Sequence, residues 1–139
     1  MLVLDTNVLS ELMKASPAPA VMEWTDAPGR ERLYITAITV AEIRYGVERL
    51  PSGRRRDLLR SAAADSFAGF GDEILPFDVE AAARYPDVVT RRDRAGRPID
   101  GFDAQIAAIC LAHRASLVTR NVKDFAETGV KLIDPWLAG

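Results

Sequence analysis

The sequence predicts an α/β protein with three layers, α/β/α, around a mostly parallel central sheet of about five strands. Two observations carry that expectation. Short apolar runs alternate with longer stretches whose apolar residues recur at helical spacing, and strands joined by helices pair in parallel through right-handed crossovers. The opening run Leu2-Val3-Leu4 is apolar without alternation, as suits a strand buried on both faces, and it leads straight into Asp5.

After Asp5, the residues Val8, Leu9, Leu12 and Met13 predict a helix starting near Asn7. Ser16-Pro17 reads as an N-cap followed by Pro at the first helical position, with Val21, Met22 and Trp24 as that helix's apolar residues. Arg32-Leu33-Tyr34-Ile35-Thr36 is rich in β-formers and reads as the second strand. A helix opening at Thr39-Val40-Ala41-Glu42 follows, then the turn Pro51-Ser52-Gly53 and a helix over 54–67 that Gly69 and Gly71 end. Ile74-Leu75-Pro76-Phe77 is a third strand, and Asp78 caps the next helix, which Pro86 kinks or ends. The polar run from Arg91 to Pro98 is a helix end and loop. A strong helix over 103–114 and strands at 115–119 and 130–133 complete the chain.

The 139 residues form one domain on this reading, with an ordinary 48% apolar and 27% charged content. A net charge of -2 argues against a strongly basic nucleic-acid binder while leaving local patches open. Cys110 is alone, which excludes an internal disulfide and a Cys-cluster metal site. No run reaches the ~18 apolar residues of a membrane span, and Asp5 breaks the first apolar run too early for a signal peptide. A cytoplasmic protein without membrane contact is expected.

Five polar residues adjoin the carboxyl end of a predicted strand or the start of the following helix: Asp5, Glu42, Asp103, Asn121 and Asp124. In a doubly wound sheet those places converge on one crevice. Clustered carboxylates repel, and a divalent cation resolves the conflict. Without a Cys cluster and with a single His, His113, the donors are oxygens, which suits Mg²⁺ or Mn²⁺ over Zn²⁺. Each residue also has a plainer reading. Thr39-x-x-Glu42 fits a capping box, and Asp103 complements a helix dipole, with Asp100 an alternative cap. Asn121 suits a turn, and Asp124 the cap of a short helix.

At these residues the chain resembles the PIN-domain ribonucleases, and among them the VapC and FitB type toxins of toxin–antitoxin pairs. The carrying segments are Leu4-Asp5-Thr6-Asn7 with Val8-Leu9-Ser10-Glu11, and Ile38-Thr39-Val40-Ala41-Glu42-Ile43 with Gly46. Asp103-Ala104-Gln105-Ile106-Ala107-Ala108, Leu117-Val118-Thr119-Arg120-Asn121 with Asp124-Phe125, and Asp134-Pro135-Trp136 add to them. The resemblance spans essentially residues 1–139 and implies a single PIN domain. It implies Asp5, Glu42 and Asp103 as a catalytic acidic triad, with Asp5 and Asp103, and with them Glu42, Asn121 and Asp124, around Mg²⁺ or Mn²⁺. Thr6, Asn7 and Thr119 become supporting polar neighbours, Asn7 steadying the loop after the first strand. Many relatives place Asp where this chain has Asn121, a weaker cation ligand.

The implied activity is metal-dependent hydrolysis of RNA phosphodiester bonds, blocked by a cognate antitoxin with which homodimers assemble. Basic residues are then expected around the rim. Arg44 and Arg120 lie near the acids in sequence; Arg54, Arg55 and Arg56, and the group Arg91, Arg92, Arg94 and Arg97, are candidates to track RNA backbone, although charge runs also serve simply as solvated faces. Met22 and Trp24 are candidates for a protein interface. Two alternatives stay open: a PIN-like binding module without catalysis, motivated by Asn121, and an aspartyl-nucleophile phosphohydrolase using Asp5. The latter chemistry wants a second Asp where this chain has Asn7.

Overall fold

In the computed structural model, which describes residues 1–137, the strands are β1 (Leu2–Leu4), β2 (Leu33–Thr36), β3 (Ile74–Leu75), β4 (Ser116–Val118) and β5 (Leu132–Ile133). They form one sheet in the order β3-β2-β1-β4-β5, and every pairing is parallel, so the sheet is fully rather than mostly parallel. The chain steps outward from β1 to β2 and β3, then crosses back to β4 and β5. That reversal opens a crevice at the carboxyl ends of β1 and β4, the place where open α/β sheets bind ligands.

Among the described residues six α-helices cover the two faces: α1 (Thr6–Leu12), α2 (Pro19–Asp26), α3 (Ala37–Glu48), α4 (Arg54–Phe70), α5 (Val79–Arg94) and α6 (Gly101–His113). Alternation along each strand feeds two cores. Val3 and Leu117 point into the layer of α5 and α6, with Val88, Ile106 and Ile109. Leu2, Leu4, Ile35 and Val118 point into the layer of α1 to α4, with Val8, Val21, Trp24 and Phe67. Each fully buried aliphatic side chain of this kind contributes about 1.5–3 kcal/mol over its exposed state. No helix among the described residues is long and apolar enough to cross a membrane.

Several boundaries differ from expectation, those of α2, α3 and α4 among them. α2 starts at Pro19 rather than at Pro17, and its N-cap Ala18 has no side-chain cap. The buried Glu11 carboxylate reaches over from α1 to take the Ala18 N–H (2.9 Å), which fixes the loop instead. α3 begins one turn early, because Thr36 at the end of β2 is extended and accepts from the Thr39 N–H (3.2 Å). α4 runs through Gly69 to Phe70 and stops at Gly71, whose left-handed φ of 52° suits glycine. Pro86 sits inside α5 without ending it. Trp24, read as a candidate interface residue, is buried, with the Arg30 guanidinium 3.8 Å from its ring centroid.

Candidate active site

β1 delivers Asp5 to the crevice as a nearly buried carboxylate, 4% exposed, and its placement is over-determined. Its N–H donates to the Val118 carbonyl (2.8 Å), extending the β1–β4 pairing by one step. Its Oδ1 accepts the Thr6 N–H (2.8 Å) and so caps α1. Its Oδ2 accepts from Thr119 Oγ1 (2.8 Å) and Asn7 Nδ2 (3.1 Å). A buried carboxylate needs such donors to be tolerated. Burial still pushes Asp5 above the usual carboxylate range; the three hydrogen bonds pull it down, and Asp124 adds to the rise.

Asn7 does more than steady the loop after β1. Its Oδ1 takes the Arg120 N–H (3.1 Å), clamping the loop after β4 to the same carboxylate. Both ends of its amide are thereby committed, and the place where a phosphohydrolase needs a second acid holds a structural clamp. Thr119 is fully buried and also accepts the Asn121 N–H (3.0 Å).

Glu42 sits in the second turn of α3. Thr36, not Thr39, is the cap of that helix, so the capping box is absent and Glu42 is free to face the crevice. Thr6 Oγ1 donates to Glu42 Oε1 (2.8 Å) and lies 3.0 Å from Thr39 Oγ1. Half-burial raises the Glu42 carboxyl, the Thr6 hydrogen bond opposes the rise, and Asp5 and Asp100 add to it.

Asp103 stands on the first turn of α6, and Asp100 is the N-cap, accepting the Phe102 and Asp103 N–H groups (3.1 and 3.4 Å). A helix N-terminus ordinarily favours the charged carboxylate. Here burial wins, and Asp5, Asp100, Glu42 and Asp124 reinforce it, so the Asp103 carboxyl is pushed up to about 7. Asp100 thus belongs to the electrostatic field of the crevice, which its sequence role as a cap did not disclose. Asn121 and Asp124 lie on an exposed turn, joined by Asp124 N–H to the Asn121 carbonyl (3.0 Å); no helix forms there for Asp124 to cap.

The basic candidates scatter. Arg120 is exposed beside the crevice with its guanidinium 4.8 Å from the Trp136 ring centroid. Arg44 turns toward α4 and covers Phe67 at 5.2 Å. Arg54 and Arg55 open α4, which returns antiparallel to α3 with Arg60 meeting Glu48, so they stand at the far end from Glu42. Arg92 corrects the rim expectation most clearly. It is 5% exposed, and its guanidinium donates to the carbonyls of Arg97 (2.6 Å), Asp124 and Ala126 (3.0 Å). The signal was present: Ala81, Val88 and Arg92 recur at helical spacing on one inward face.

Asp5, Glu42, Asp100 and Asp103 therefore share one electrostatic field with Asp124 at its edge, and among the described residues none of Asp5, Glu42 or Asp103 is in an ion pair. The donor set is hard oxygen and fits Mg²⁺ or Mn²⁺ in kind. Among the described residues the acids do not close into a ready-made cage for a metal ion.

Fold and crevice together define a doubly wound α/β protein with an acidic pocket at its topological switch point. The chain belongs to the PIN-domain family, whose model matches residues 2–131. It is similar to the VapC ribonuclease Y4jK of Sinorhizobium fredii, 40% identical over 137 residues that cover 98% of each chain. It is also similar to Toxin FitB of Neisseria gonorrhoeae, 36% identical over 98% of this chain and 99% of that one. The solved structure of FitAcB from Neisseria gonorrhoeae superposes with a TM-score of 0.89 at 36% identity, covering 99% of each chain.

Proposed function

We propose that this chain is a ribonuclease toxin that hydrolyses RNA phosphodiester bonds with Mg²⁺ or Mn²⁺ and is neutralised by a cognate antitoxin. Residues 1–139 then form a single PIN domain, and homodimers assemble further with the antitoxin. Relatives that are named a VapC ribonuclease and a toxin support this reading.

The observation that carries it is the meeting of Asp5, Glu42 and Asp103 without a basic counterion, at a cost that holds Asp103 at about 7. On this reading those three side chains hold the cation, with Asn121 and Asp124 at its fringe. The chemistry supplied by a bound cation is neutralisation at the phosphoryl oxygens and acidification of an attacking water. The chain's own residues do the positioning. Thr119, Asn7 and the Thr6 N–H fix Asp5, and the Thr6 hydroxyl decides which oxygen of Glu42 stays free.

A PIN-like binding module without catalysis is the second reading, favoured by Asn121 and by the unclosed arrangement of the acids. Purified chain and Asp103→Asn, each incubated with RNA with and without Mn²⁺, separate the two. Metal-dependent cleavage that the variant loses supports the ribonuclease. Equal cleavage by both proteins removes the site assignment, and none by either leaves the binding module. Toxicity on expression that a co-expressed antitoxin relieves is the matching test in cells.

A further inference from the structure

Away from the crevice, five cations line a continuous trough formed by two open depressions of about 770 and 470 Å³ that share Arg91 and Arg94. α5 contributes Arg84, Arg91 and Arg94, the residue that ends α6 is Arg114, and Lys131 precedes β5. On α5 the three arginines fall along one side of the helix, and at 1.5 Å per residue they span about 15 Å. Arg91 is seated rather than free, because its guanidinium lies across Gly129, where any Cβ would collide with it. All five side chains are exposed, and among the described residues none is in an ion pair. The acids lining the trough are Asp87 and Glu127. On a chain of net charge -2, this is a concentrated positive strip.

The strip also has a direction. α6 starts with Asp103 at the crevice and ends at Arg114, and α5 lies antiparallel to it, its residues 80–84 facing Ala112. The Arg94 end of α5 therefore points toward the crevice. The trough's wall at Glu127 and Gly129 continues the turn of Asp124, whose charge bears on Asp5 and Asp103. A polyanion leaving the acidic pocket on this side runs onto the arginines.

We propose that this trough binds the sugar–phosphate backbone of single-stranded RNA beyond the cleavage site, its cations neutralising successive phosphates and adding affinity without base preference. The proposal rests on the ribonuclease reading for the identity of its polyanion. It assigns work to Arg84, Arg114 and Lys131, which lie apart in sequence and which no motif joins.

The test uses the full chain and a fluorescently labelled RNA long enough to extend past the crevice. Binding is followed by anisotropy in EDTA over a range of salt concentrations. The variant combines Arg84→Gln, Arg91→Gln and Arg114→Gly; glycine suits the left-handed φ of 53° at position 114, so that change removes a cation without straining the backbone. Arg114→Gly alone serves as the variant least able to disturb folding. The expected result is weaker binding, with a salt slope shallower by about 0.7 for each phosphate that is no longer neutralised, about 2 in all. Arg54→Gln with Arg55→Gln, at the far end of α4, is expected to leave binding unchanged. Unaltered affinity in the trough variants, or equal weakening by the Arg54 and Arg55 control, overturns the proposal. With Mn²⁺ present, the trough variant is expected to raise KM for the long RNA while kcat and turnover of a dinucleotide stay as in the parent. If the parent chain cleaves no RNA, the ribonuclease reading falls, and the metal-free binding arm still decides the trough.

Discussion

Asp5 and Asp103 bring the same side chain to one crevice from different kinds of structure. Asp5 arrives at the end of a buried central strand, where three donors from Thr6, Asn7 and Thr119 take up its oxygens. Asp103 arrives on a helix turn, half-buried, and no side chain among the described residues donates to it. Burial raises both, yet the hydrogen bonds restrain Asp5, whereas the charges of four neighbours fall on Asp103. The fold has made one carboxylate part of its framework and left the other to carry the electrostatic cost of the site. A framework residue and a cost-bearing residue respond in opposite ways to removal.

The largest expected effect is on catalysis and is shared. Asp103→Asn and Asp5→Ala each lower metal-dependent RNA cleavage at least ~10²-fold, the scale on which loss of one charge-stabilising group acts; a gel assay with Mn²⁺ measures it. Stability then splits the pair. Asp5→Ala leaves three donors without their acceptor and is expected to destabilise the chain by about 1–3 kcal/mol in denaturant melts. Asp103→Asn relieves repulsion, so the metal-free protein is expected to melt higher than the parent at pH 8. A lower melting point for Asp103→Asn would show that the two residues are held alike.

Next comes pH. The folded Asp103 carboxyl titrates near 7 and the unfolded one near 3.8, so the folded state holds the extra proton between those values. Stability from this group is therefore greatest at low pH and declines as pH rises through that window. Thermal melts of the metal-free chain are expected to fall from pH 5 to pH 8 by more than those of Asp103→Asn, and saturating Mn²⁺ to flatten the difference. The smallest effect concerns the fringe. Asn121→Asp adds a carboxylate on the exposed turn and is expected to tighten Mn²⁺ binding a few-fold in calorimetric titration, with little change in melting. Unchanged affinity would put position 121 outside the reach of the cation.

How much of this was legible in the sequence follows the range of the interactions. β1 and its terminal acid could be read because an unbroken apolar run into a carboxylate suits little besides a buried strand that ends at a site. The helices on Asp78 and Asp100 could be read because caps are local. The start of α2 was not, since the Glu11 carboxylate that fixes its loop comes from the preceding helix. Glu42 looked like half of a capping box until β2 delivered Thr36 to do the capping one turn earlier. Asp100 was legible as a cap and hidden as a charge, because its neighbours in the crevice lie far away along the chain. Arg92 was lost in a run of arginines, where composition suggested solvent and only helical phase pointed inward.

Arg92 holds this edge of the pocket from behind. The backbone of the turn carrying Asn121 and Asp124 is pinned at the carbonyls of Asp124 and Ala126 by a guanidinium from α5, not by the turn's own exposed side chains. Shape and charge on that side of the pocket are therefore separately specified. An acid can be gained or dropped on the turn by a single substitution while its path stays fixed. Divergence at this edge is then cheap for the fold, and the pocket's formal charge can drift between otherwise superimposable chains.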